Sequence, residues 1–174
     1  MSDSPHPVRA VFIGPMASGK SKLGKRVARE IGAPFHDTDK MVVAAHGDIP
    51  TIFATHGEDQ FRVWEREAVV EALRLGGVVS LGGGAILNQQ TRSDLTDQPV
   101  IYLHITRDAV QHHLSTSTRP LLADGIDAWE RIFNERRALY EAVATVDFDT
   151  SSAHAENLTR QVAGWIHQRE ARHA

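Results

Sequence analysis

Short apolar runs alternate with longer amphipathic stretches along this chain. Residues 8–13 (Val-Arg-Ala-Val-Phe-Ile), 78–81 (Val-Val-Ser-Leu) and 100–103 (Val-Ile-Tyr-Leu) are close to continuously apolar, as expected of strands buried on both faces. Residues 34–37 and 146–148 are shorter and weaker strand candidates. Helical periodicity fills 20–31, 40–45, 49–55, 58–75, 107–114, 128–143 and 156–168. Gly32 stops the first of these and Gly76-Gly77 stops the fourth. Strands alternating with helices predict an α/β chain, its parallel sheet covered on both faces. Ligands then belong at the carboxyl ends of the strands. Residues 1–7 are polar and read as a frayed tail.

Composition sharpens this only modestly. The 174 residues suit one compact domain, and 41% apolar with 24% charged residues is ordinary globular usage. A net charge of -3, from 19 Lys+Arg against 22 Asp+Glu, does not suggest a nucleic-acid binder. With no cysteine, disulfides, thiolate metal sites and cysteine nucleophiles are excluded. The first residues hold no apolar leader core, and no apolar run approaches membrane-spanning length. A cytoplasmic monomer with small-molecule partners, and with neither nucleic acid nor membrane as partner, is the expectation.

The chemistry begins at Gly14-Pro15-Met16-Ala17-Ser18-Gly19-Lys20-Ser21, which fits G-x-x-x-x-G-K-[ST] between a predicted strand and a predicted helix. In that context inward-pointing N–H groups and the helix N-terminus make a phosphate cradle. Lys20 then reaches the β- and γ-phosphates and Ser21 offers its hydroxyl to Mg²⁺. The alternative is a glycine-rich turn carrying an exposed lysine.

Further candidates sit at the other strand ends. Asp37 and Asp39 leave the second strand two residues apart, so one can sit near Mg²⁺ while the other faces an acceptor hydroxyl; the alternative is helix capping in a solvated turn. Glu65, three residues after Arg62 on a helix, can hold its guanidinium aimed at a carboxylate; the alternative is an ordinary surface pair. Gly82-Gly83-Gly84 allows close backbone approach by a ligand. Arg119 lies in a polar segment without strong periodicity, residues 115–125, which reads as a lid over the phosphates. Of Arg136 and Arg137, adjacent on a helix, at most one enters a site. The 10 histidines show no metal-ligand spacing and read as structural or surface residues. Ile49, Ile52, Phe53 and Trp64 read first as core, with Phe53 and Phe61 also suited to a small apolar pocket wall.

Taken in order, GPMASGKS, DTD, IFATHGEDQFR, LGGGA, RPLL and the Arg136…Leu139-Tyr140 helix resemble the shikimate kinases, from the P-loop to about Asp149. The resemblance implies a three-layer α/β/α P-loop fold of the nucleoside-monophosphate-kinase type. It has a five-stranded parallel sheet, a substrate-binding region near residues 38–66 and a mobile lid. It implies phosphorylation of the shikimate 3-hydroxyl by ATP with one Mg²⁺, on the way to chorismate and aromatic amino acids. By the same resemblance Gly14, Ala17, Ser18, Gly19, Lys20, Ser21 and Lys22 hold the nucleotide, joined by Arg119 from the lid. Lys20, Asp39 and Arg119 are catalytic, and Ser21 and Asp37 serve the metal. Asp39, Arg62, Gly83, Gly84 and Arg136 bind shikimate, and Glu65 supports the arginine.

The chain departs from the family pattern at three places. Ala17 stands where glycine is usual, which restricts the loop if φ is positive there. Lys22 replaces a common threonine. Arginines usual on the adenine side are replaced around Gln111-His112-His113 and in residues 151–154. Either a histidine stacks on the base instead, or nucleotide binding is weaker and less base-selective. Two other readings stay open at this level: a kinase for gluconate or another hydroxy acid, and a nucleotide-binding module that has lost transfer.

Overall fold

A computed structural model of the chain describes residues 6–116, 125–152 and 154–174, with the side chains of 114–116 left aside. The five apolar runs form one parallel sheet in the order β2-β3-β1-β4-β5. The strands are β1 (Val8–Ile13), β2 (Phe35–Asp37), β3 (Gly77–Ser80), β4 (Val100–His104) and β5 (Val146–Asp149). Central β1 registers Val11 against Val79 of β3 and Val100 of β4. Its last four residues are buried, which is why its apolar run does not alternate.

Helices cover both faces. On one, α1 (Lys20–Glu30) and α7 (Ala155–His173) close a core around Phe12, Val27, Leu103 and Val162. On the other, α3 (Ile49–Leu75) and α6 (Gly125–Val143) close a second around Val11, Val69, Val79 and Tyr140. Helix α2 (Thr38–His46) packs on α3 through Val42, Ile52 and Phe61. A smaller cluster of Ile105, Val110 and Trp129 lies under α5 (Arg107–Thr116). Helix α4 (Gln89–Asp94), capped by the Asn88 side chain, and a 3₁₀ turn at Ala85–Leu87 have no counterpart in the sequence reading. Both are too short to show a periodicity.

The two helical stretches read at 49–55 and 58–75 form one long element, α3, broken internally at Gly57 (φ 81, ψ 170). Asp48 caps it by accepting from the Thr51 N–H at 3.1 Å. The tail is shorter than expected: the Pro7 carbonyl accepts from the Gly77 N–H at 3.0 Å, which fastens the chain to the start of β3. Residues 1–5 lie outside the described residues. The polar segment at 115–125 also shrinks, because Ser115 and Thr116 belong to α5 and Gly125 opens α6. Among the described residues no helix is long and apolar enough to cross a membrane.

Gly57 occupies a backbone region essentially reserved for glycine, while a Cβ placed there would meet nothing within 4 Å. Gly57→Ala therefore tests backbone strain alone. We expect a loss of about 1–3 kcal/mol in stability, seen as a lower urea midpoint at unchanged m value. An unchanged midpoint would show that α3 straightens without cost.

Candidate active site

The carboxyl ends of β1, β2 and β3 meet in a cavity of about 570 Å³. The loop after β1 forms its first wall. Gly14 (φ 147) lies so close to the Leu103 carbonyl that a Cβ would overlap it. Ser18 Oγ donates to the Pro15 carbonyl at 2.8 Å. Lys20 folds back over the loop and donates to the carbonyls of Gly14 at 2.8 Å and Pro15 at 2.9 Å. Gly19 (φ 83) leads into α1, and no side chain caps the first N–H groups, which have no intrahelical acceptors. Ala17 has φ 68 and is the one non-glycine residue with positive φ among the described residues. The restriction expected from the sequence is therefore present.

The Lys20 ammonium is pushed down to about 8 by burial, against the pull of Asp39 and Asp37. Asp37, at the end of β2, caps α2 by accepting from the Lys40 N–H at 3.1 Å. Its other oxygen accepts from Ser21 Oγ. Capping and site contact, set against each other in the sequence reading, are thus both made by one carboxylate. Asp39 is not on the strand end but in the first turn of α2. Burial raises its carboxyl above the ordinary range, and the Asp37 charge adds to this, while Lys20 and Arg62 pull it back.

The opposite wall comes from α3 and α6. Arg62 donates to buried Glu65 at 2.7 Å and to Glu58 at 3.2 Å. Burial of Glu65 removes the surface-pair alternative. Desolvation raises the Glu65 carboxyl despite Arg62. Arg136 lines the cavity, whereas Arg137 points outward and pairs with Glu141 at 2.8 Å. Phe53 and Phe61 line it with ring centroids 4.9 Å apart.

The glycine loop threads between these walls. A Cβ on Gly82 would come within 2.5 Å of Asp39 Oδ1 and 2.9 Å of Glu65 Oε1. A Cβ on Gly84 would overlap the Arg62 guanidinium. Gly83 lies at the crossing, where a Cβ would be 3.6 Å from both the Gly14 carbonyl and the Met16 N–H and 3.8 Å from Arg136 Nη1. The Tyr140 hydroxyl donates to the Gly83 carbonyl at 2.6 Å, and burial holds this phenol protonated, pushed up to about 12. The Gly82 N–H donates to Thr38 Oγ1 at 3.1 Å.

Thr38, Trp129 and Tyr140 escaped the sequence reading as site residues, and Gly82 was read only as part of the glycine run. Trp129, Phe133, Arg136 and Tyr140 recur at helical spacing on α6, a signal that points to one face but not to what that face meets. Arg119 and most of the expected lid lie outside the described residues. In the segment expected to meet adenine, His112 and His113 stand with ring centroids 6.4 Å apart. Ser151 is committed to the Thr106 N–H at 2.9 Å. Among the described residues no three His, Asp or Glu side chains gather as a metal cage.

A phosphate loop facing two arginines and a desolvated carboxylate suits phosphoryl transfer to a hydroxy acid. The sequence profile named shikimate kinase matches residues 16–167. The shikimate kinase of Streptomyces coelicolor is 40% identical over 165 residues, covering 92% of this chain and 96% of the relative. That of Salinispora arenicola is 41% identical over 160 residues, covering 90% and 96%. The structure of shikimate kinase from Acinetobacter baumannii in complex with shikimate is similar at TM-score 0.82 and 28% identity, covering 92% and 93%. With this profile and these relatives spanning most of its length, the chain belongs to the shikimate kinase family.

Proposed function

We propose that the cavity at the ends of β1, β2 and β3 transfers the γ-phosphoryl group of ATP to the 3-hydroxyl of shikimate, giving shikimate 3-phosphate and ADP. Family membership makes the chain an ATP-dependent kinase of aromatic amino acid biosynthesis. The observation that carries the assignment of residues is the crossing at Gly83, where the phosphate loop and the arginine-bearing wall share one cavity.

Phosphoryl transfer asks mainly for positioning and charge stabilisation. Lys20 exchanges the Gly14 and Pro15 carbonyls for phosphate oxygens, and the N–H groups of residues 17–22 complete the cradle. Arg62, held by Glu65, and Arg136 receive the shikimate carboxylate in charge-assisted hydrogen bonds. Gly83 lets the ring approach the backbone, and Gly84 lets the Arg62 guanidinium lie against it beside the ring. Asp39 receives the acceptor hydroxyl, and its desolvation makes it a stronger base than an exposed aspartate. Arg119 is assigned to the transferring phosphoryl from the lid.

The oxygen donors at the loop fit one Mg²⁺. Ser21 Oγ donates its hydrogen bond to Asp37, which leaves the hydroxyl lone pairs free for a hard cation. Ser21 and Asp37 would hold the ion, which when bound offsets charge on the phosphate oxygens. The reading keeps a monomer in the cytoplasm, where both substrates are small, polar and freely diffusing.

Release of ADP from MgATP with shikimate, with gluconate and without acceptor tests the reaction. We expect release with shikimate alone; release only with gluconate would overturn the acceptor assignment. Asp39→Asn should lower kcat about 10²- to 10⁴-fold with the KM for ATP little changed, and near-normal turnover would remove Asp39 from the chemistry. Arg62→Lys keeps the charge beside Glu65 but loses the fork. It should raise the KM for shikimate about tenfold or more, the worth of one charge-assisted bond; an unchanged KM would remove Arg62 from the carboxylate. The lysine pKa gives a pH test. The free enzyme loses the Lys20 ammonium above about pH 8, so kcat/KM for ATP should fall there, since that parameter reports free-enzyme ionisations. A flat profile to pH 9 would place the ammonium pKa higher.

A further inference from the structure

Helix α6 touches the phosphate loop at a point outside the assignments above. The Trp129 indole is 3% exposed and stacks on Phe133, ring centroids 5.2 Å apart. Its Nε1–H donates to the main-chain carbonyl of Met16 at 2.8 Å. The Met16 side chain is exposed, so the contact is with the loop backbone. The next residue is Ala17, at φ 68, whose methyl packs against the Ile105, Val110 and Trp129 cluster.

These facts are physically linked. An L-residue with a Cβ resists the left-handed region, so the Met16–Ala17 peptide tends to rotate out of this conformation. A trans peptide is planar and its C=O and N–H point in opposite directions. Fixing the Met16 carbonyl on Trp129 therefore turns the Ala17 N–H away from the indole N–H and fixes its direction within the loop, beside the cavity that Ala17, Lys20 and Trp129 all line. Eleven residues further along the same helix face, Tyr140 fixes the Gly83 carbonyl at 2.6 Å. One rigid helix thus spans about 16 Å between the two anchor points and holds the donor loop and the acceptor loop in register.

We propose that Trp129 is a positioning residue for nucleotide binding: its indole N–H pins the Met16 carbonyl and so keeps the Ala17 N–H aimed at the phosphates. The proposal rests on the phosphate-loop reading of this cavity. Its test is the calorimetric dissociation constant of MgADP, which needs no phosphoryl transfer. Trp129→Phe keeps an aromatic ring and removes the donor. MgADP should bind about three- to tenfold more weakly, the usual worth of one hydrogen bond, while the dissociation constant of shikimate stays within twofold. Adding Ala17→Gly removes the Cβ that opposes the left-handed region, so the double variant should bind MgADP within twofold of Ala17→Gly alone. A packing role for Trp129 would not be repaired by deleting a neighbouring methyl. Should Trp129→Phe fail to fold, benzothienylalanine at position 129 keeps the indole shape without the N–H. It would be introduced in a Trp64→Phe, Trp165→Phe background. Unchanged MgADP affinity in either variant, equal weakening of MgADP and shikimate, or no rescue by Ala17→Gly would each overturn the proposal. If the wild-type chain shows no shikimate-dependent ADP release, the reaction assignment falls while the MgADP titration still reads the pin.

Discussion

The site is organised around a cation with little water to stabilise it. A desolvated ammonium needs acceptors, and Lys20 takes them from its own loop, the carbonyls of Gly14 and Pro15. The arrangement is poised for exchange. The Pro15 carbonyl also accepts from Ser18 Oγ at 2.8 Å, so it keeps a partner when Lys20 turns to a phosphate. Phosphate oxygens offer the ammonium anionic acceptors in place of neutral carbonyls. The carboxylates follow from the same constraint: Asp37 and Asp39 stand near Lys20 and hold its charge, while burial and mutual repulsion raise Asp39. A raised carboxyl and a lowered ammonium thus come from one electrostatic balance.

The two halves of the site come from different parts of the fold. The sheet supplies backbone, because parallel strands ending together bring the loops after β1 and β3 side by side. The helices α3 and α6 supply the fixed cations Arg62 and Arg136. Their aim depends on neighbours rather than on the sheet: Glu65 and Glu58 hold Arg62, and the missing side chain of Gly84 leaves room for its guanidinium. The α6 face is tied to both loops, through Trp129 to the Met16 carbonyl and through Tyr140 to the Gly83 carbonyl, whereas α3 carries Arg62 with its own two carboxylate partners.

What the sequence could reveal follows this division. Buried parallel strands and the phosphate loop are local patterns, so all five strands and the positions of Lys20, Ser21 and Asp37 were legible before any coordinates. So was the rule that at most one of Arg136 and Arg137 faces inward, since it is a matter of helix geometry. Contacts across the chain were not. Nothing local connects Tyr140 to the Gly83 carbonyl or Trp129 to that of Met16, because a carbonyl partner leaves no mark on residue type. Gly82 could be read only as one of three permissive glycines. That its missing Cβ makes room for Asp39 and Glu65 is a fact of three elements meeting. The Gly57 break was half legible: a glycine inside a helical pattern suggested two helices but not their continuity.

The charge balance also bears on acceptor choice. Lys20, Arg62 and Arg136 line the cavity with Asp39 and Glu65. Glu65 already engages Arg62, so the field offered to an incoming carboxylate is weaker than two arginines suggest. Many hydroxy acids carry that carboxylate, so it cannot by itself select among them. Selection must rest on shape and on the hydroxyl end. Phe53 and Phe61, their rings tilted 40° to each other, offer an angled apolar wall that suits a puckered ring better than an open chain. Under the proposed role of Asp39, a hydroxyl that misses this half-buried carboxylate leaves it without a donated hydrogen bond, which costs more than a lost surface contact. A cyclic acid with a hydroxyl at the right reach meets both demands, while a flexible acid meets them only after its chain entropy is lost.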